Sequence, residues 1–130
     1  QDVYSRRLTL NGEEHRSTLL SALYYAASLS SLQRHAEGRS LLRKMTPVAQ
    51  RVLGADNDIT LDMKNYYAQT LYKDTGATLD DLREAVTTLE ETERIARRVL
   101  GGAHPDVVGI EESLRASREA LRARETQPSS

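Results

Sequence analysis

The amino-acid sequence predicts an all-α protein, a short stack of antiparallel helical hairpins with about five or six helices. Three observations carry that expectation. The stretches between breakers are filled with Ala, Leu, Glu, Arg and Gln, the good helix formers. No stretch sustains the apolar/polar alternation of a half-buried strand. The breakers themselves recur at nearly regular intervals, with prolines only at Pro47, Pro105 and Pro128 and glycines at seven positions.

Taken in order, residues 1–11 carry Val3, Tyr4, Arg7 and Leu8 at helical spacing and read as the remnant of a preceding helix. A first unit, 12–53, holds one helix from about His15 to Ser31 and a second from about His35 to Leu53. Pro47 falls inside that second helix, where it removes a backbone donor, so a bend or a split is expected there. A second unit, 54–100, holds a helix from about Asp58 to Lys73 and another from Leu79 to Leu100. Thr78 followed by Asp81 reads as an N-cap with an acidic residue at the third helical position. The glycines after Leu53 and Leu100 suit the left-handed conformation that closes a helix. A last helix starts at Pro105, a favoured first-turn residue, and ends near Arg124, so residues 101–125 form a terminal cap. Residues 126–130 read as a disordered tail.

The units repeat. Gly12, Gly54 and Gly101 open similar segments, and Gln50-Arg51-Val52-Leu53 matches Arg97-Arg98-Val99-Leu100. Tyr24-Tyr25-Ala26 recurs as Tyr66-Tyr67-Ala68. The longer second interval is explained by extra residues in the loop Asp74-Thr75-Gly76-Ala77-Thr78, where a helical hairpin tolerates insertion. Leu100-Gly101 with His104 and Pro105, Leu53-Gly54 with Thr60 and Leu61, and Gly12 with His15, Thr18 and Leu19 resemble the tetratricopeptide repeat, in the long form found in kinesin light chains. Ala26, Ala68 and Ala85 stand at that family's small positions, and Gly38 at the equivalent of Ala85. The resemblance covers residues 1 to about 124. It implies a right-handed α-solenoid whose first helices line a concave groove and whose function is protein binding. Arg115 and Arg118 depart from the pattern and imply a polar outer face on the last helix, as a solenoid end requires. Of the family's asparagine pair only Asn65 survives, so the resemblance does not imply a standard carboxylate clamp.

Composition narrows the chemistry. The formal charge is −1 from 18 basic and 19 acidic residues, which argues against a whole-domain nucleic-acid footprint. No apolar run approaches the roughly 18 residues of a membrane span. The chain has no cysteine, hence no disulfide and no thiolate chemistry. These features, with no signal peptide at the start, lead to an intracellular, cytoplasmic expectation. His15 and His104 fall in the opening turn of a helix, where a ring can bond the backbone, and His35 falls at a packing position. No His spacing suits a metal, no serine sits in a nucleophile elbow, and no glycine loop cradles phosphate. The expectation is a non-enzyme without cofactor or metal.

The tyrosines are more informative. Tyr25 and Tyr67 take the family's buried leucine position and are expected in the core. Tyr24, Tyr66 and Tyr72 are expected to project into the groove, where a large rigid ring with a hydroxyl favours binding. Asn65, Gln69 and Lys73 stand four residues apart and share one helix face. Tyr24, Asn65, Tyr66, Gln69, Tyr72 and Lys73 are therefore the candidate peptide-binding residues, suited to a partner with acidic and apolar side chains. Arg39, Arg43, Lys44 and Arg51 form a basic cluster expected on the outer, solvated side. Residues 1–53 hold eight basic and four acidic side chains, and residues 54–100 six against ten. That asymmetry supports the alternative expectation of a self-associating scaffold segment, or of a parent chain with further repeats.

Overall fold

The computed structural model describes residues 12–127, with side chains from residue 16 onward. The expected remnant helix at 1–11 and the side chain of His15 lie outside the described residues. Among the described residues the chain is all-α, with helices α1 (Gly12–Ser31), α2 (His35–Leu53), α3 (Asp58–Tyr72), α4 (Leu79–Leu100) and α5 (Pro105–Glu125). Among the described residues, no helix is long and apolar enough to cross a membrane.

Each helix is delimited by local chemistry, and two of the turns are the same turn. After α2, Gly54 donates its N–H to the carbonyl of Gln50 and accepts from the N–H of Asn57. After α4, Gly101 donates to Arg97 and accepts from His104 in the same way. Asn57 then caps α3 by accepting from the N–H of Ile59, and His104 caps α5 through Nδ1, which accepts from the N–H of Asp106. The repeated Leu-Gly thus folds into a repeated structure, but not through the expected left-handed cap. Gly54 has φ 99° and ψ 158°, and Gly101 φ 90° and ψ 152°. That is an extended region of positive φ open essentially to glycine alone. Thr78 and Asp81 form a full capping box, each side chain accepting the other residue's backbone N–H.

Packing follows the helical period. Leu19, Leu23, Ala26 and Leu29 bury one face of α1, and Leu82, Ala85, Leu89, Thr92 and Ala96 one face of α4. Every consecutive pair of helices packs, and α3 also touches α1 and α5, so α3 contacts all four other helices. Its burial reflects this, with Ile59, Thr60, Leu61, Met63, Ala68, Thr70 and Leu71 all enclosed. Two clusters result. One joins Leu19, Leu23, Ala26, Leu42, Ala49, Ile59 and Met63; the other joins Leu61, Ala68, Leu71, Ala85, Leu89, Val107 and Ile110. Tyr67 packs against both. The small positions do what their size suggests. Ala26, Ala68 and Ala85 are buried, and a Cβ on Gly38 would stand 3.3 Å from Cγ2 of Thr70.

Four expectations are corrected. The first helix begins at Gly12, ahead of His15. Of the two outcomes named for Pro47, the split does not occur: α2 runs unbroken from His35 to Leu53 with the proline inside it. Tyr25 is not a core residue but 55% exposed. Its counterpart Tyr67 has α2 beside it, whereas no described helix occupies that place beside α1. Thr126 and Gln127, expected in a disordered tail, are bonded to the end of α5: the Thr126 N–H bonds to the carbonyl of Arg122 and its hydroxyl donates to Ala123, while Gln127 donates to Arg124. Arg115 and Arg118 are exposed on α5 as expected, and Arg118 reaches Glu90 of α4 at 3.0 Å.

Candidate functional site

The candidate residues divide between two places on α3 and its neighbours. Tyr24 on α1 is 63% exposed, and Tyr66, at the equivalent position of the repeat, is half-buried against the first cluster. Asn65 adjoins Tyr66, and its Oδ1 is enclosed without a hydrogen-bond partner. An amide oxygen removed from water and left unpaired costs free energy, about 1–3 kcal/mol in comparable settings. Of these three, Tyr24 presents the most open surface.

Gln69, Tyr72 and Lys73 are instead engaged with their surroundings. Nζ of Lys73 donates to Oε1 of Gln69 at 3.3 Å, and Nε2 of Gln69 donates to Oγ of Ser113 on α5, also at 3.3 Å. Tyr72 packs against the second cluster, and burial pushes its phenol up from its ordinary range, an effect offset in part by a hydrogen bond with Ser113. Tyr72 and Lys73 also open onto a recess of 540 Å³ shared with Ala77, Leu82, Ala123 and Arg124. The stripe expected to face a ligand thus turns, at its C-terminal end, toward α5.

The same stripe extends in the other direction through residues that sequence reasoning passed over. Asp58 and Asp62 precede Asn65 at helical spacing. Asp58 meets Arg16 of α1 at 3.6 Å. The charge of Asp106, in the first turn of α5, bears on Asp62. Burial above all, then the charges of Asp106 and Asp58, raises the Asp62 carboxyl to about 7. The i, i+4 spacing of Asp58 and Asp62 was a signal present in the sequence. The opposing Asp106 was not, because its place depends on how α5 lies along α3.

A second polar connection joins α2 and α4 through their side chains. Arg43 of α2 donates to the Tyr67 hydroxyl at 3.0 Å, and that hydroxyl donates to Glu84 of α4 at 2.7 Å. The guanidinium also stands 5.8 Å from the ring centroid, within reach of a cation–π contact. Burial, followed by the bond to Glu84, pushes the Tyr67 phenol up. Arg39 of the same basic cluster bonds Asp74 at 3.3 Å and approaches Asp81 at 3.9 Å. Part of the expected solvated basic face is therefore a tie between hairpins. Among the described residues, no group of three or more His, Asp or Glu is placed to hold a metal ion.

Compared with known proteins, the chain matches no family model, no curated protein and no solved structure.

Proposed function

We propose that the chain is a non-catalytic protein-interaction module, a short tetratricopeptide-like stack of helical hairpins that binds a peptide or protein segment across α1 and α3. The observation that carries this reading is the exposed ring of Tyr24 on α1, with half-buried Tyr66 at the matching register of α3 and Asn65 beside it. The two phenols supply rigid contact area to an extended ligand, with the Asn65 side chain beside them. The helix order and the recurrence of the Gly54 and Gly101 turns support the repeat reading. The test is a peptide-display selection on the wild-type chain, followed by titration of the selected peptides against Tyr24→Ala and Asn65→Ala. Binding at least tenfold weaker in both, with unchanged helicity by circular dichroism, is the expected result. Selected peptides that bind both variants as tightly as the wild type would remove the site from α1 and α3.

A second reading is favoured by the other face of α1. Tyr25 and Leu32 stand exposed there, and the repeat partner of Tyr25 is covered by a helix. A scaffold segment that associates with itself, or with further repeats of a parent chain, would cover that face. Light scattering over a concentration series separates the readings, since self-association raises the apparent mass and Tyr25→Ala reverses the rise.

A further inference from the structure

The recess of 540 Å³ onto which Tyr72 and Lys73 open is lined by the end of α3, the loop after it, Leu82 of α4 and the end of α5. Ala77, Leu82, Ala120 and Ala123 give it an apolar lining, with the ring of Tyr72 beside them. Two cations stand on it, Lys73 at the C-terminal end of α3 and Arg124 in the last turn of α5. Among the described residues, neither meets a carboxylate. Nζ of Lys73 donates to the amide oxygen of Gln69 at 3.3 Å, and Nη2 of Arg124 donates to the carbonyl of Ala77 at 2.6 Å. Asp74, the acid of the lining, is already taken. Arg39 donates to its Oδ2 at 3.3 Å, and the N–H of Gly76 donates to its Oδ1 at 3.0 Å.

A lone surface cation is satisfied by water and marks nothing. Here two cations without counter-ions border a concave apolar surface whose own carboxylate is neutralised, and such walls focus the field on an incoming anion. The shape favours a chain over a compact molecule. Lys73, Asp74 and Thr75 also line a second recess, of 510 Å³, with Ser30, Ser31, Gln33 and His35. An extended segment can run from one recess to the other, its backbone meeting hydroxyls and amides and its side chains the apolar lining.

We infer that this recess is a docking site for a peptide segment of a partner protein, with an aliphatic side chain set against Ala77, Leu82 and Ala123 and a flanking carboxylate drawn to Lys73 and Arg124. The site shares its class of ligand with the surface of α1 and α3 but none of Tyr24, Asn65 or Tyr66, so either can fail without the other.

An array of immobilised synthetic peptides, probed with the fluorescently labelled full chain, tests the site. One set places Leu, Ile or Met between Asp or Glu residues; a matched set carries Asn and Gln in place of the acids, and another carries Lys. Retention is expected on the acidic set, about fivefold less on the amide set, and none on the Lys set, since one exposed ion pair contributes at most about that factor. Lys73→Met keeps the aliphatic stem and should lower retention on the acidic set about fivefold. Ala123→Glu puts an anion at an exposed position of the recess and should abolish retention, whereas Ala123→Gln, of nearly the same size, should weaken it less. Tyr24→Ala should leave retention unchanged, and circular dichroism should show equal helicity in all variants. No retention on the acidic set, equal retention on the amide set, or retention unchanged in both Lys73→Met and Ala123→Glu would overturn the site. Retention lost in Tyr24→Ala but kept in Lys73→Met would overturn it in favour of the surface of α1 and α3. Retention only on spots carrying the unlabelled chain itself would overturn it in favour of a second copy.

Discussion

At the scale of single residues, the two turn glycines are required by backbone geometry. A Cβ added at Gly54 or Gly101 would meet no atom within 4 Å, so space does not restrict them. Their φ of 99° and 90°, combined with extended ψ, does. Gly54→Ala should cost about 1–3 kcal/mol, the typical strain of a non-glycine residue held in such a region. Urea denaturation checks this, with a lower midpoint and an unchanged m-value expected. Both glycines were visible in the sequence as helix terminators, since a Gly after an apolar helix end is a strong local signal. Their conformation was not, because ψ is set by the direction in which the next helix must leave.

At the scale of elements, the start of α4 was fully legible. Thr78 and Asp81 lie three residues apart, and the capping box needs nothing beyond that spacing. Thr78→Ala should lower stability by about 1 kcal/mol near neutral pH. The bonds that Thr78 makes, chiefly through its backbone, hold the Asp81 carboxyl below its usual range. A depressed carboxylate stabilises above its unfolded value and loses that contribution as pH falls through its folded one. The difference in melting midpoint between Asp81→Asn, which removes the titrating carboxyl, and the wild type should therefore be full at pH 7 and shrink in acid. Pro47 was less legible. Sequence reasoning weighs the missing donor, and could not decide between a split and a continuous helix; α2 is continuous through Pro47.

At the scale of the whole molecule, α3 is the element on which everything else rests, since it alone touches every other helix. Leu71→Ala, at a fully buried position of the second cluster, should cost about 2–5 kcal/mol. Tyr67 packs against both clusters and ties α2 to α4 through Arg43 and Glu84. The loss should therefore lower one cooperative transition rather than release α4 and α5 alone. Far-UV circular dichroism and tyrosine fluorescence should trace coincident curves; separate midpoints would show that the clusters melt independently.

The sequence by itself determined the helical class, the position of nearly every helix end and the repeat register that pairs Tyr24 with Tyr66 and Tyr25 with Tyr67. All of these rest on interactions within a few residues, where spacing and composition are enough. Only the tertiary structure decided which members of those pairs are covered. Tyr25 and Tyr67 share one repeat position, yet one is exposed and the other lies between two helices, because burial depends on which neighbour is present. The candidate residues of α3 likewise follow from spacing along one helix, but that the far end is spent on Ser113 of α5 does not. Contacts between helices distant in sequence depend on how each lies along its neighbour, and no local pattern in the chain encodes that.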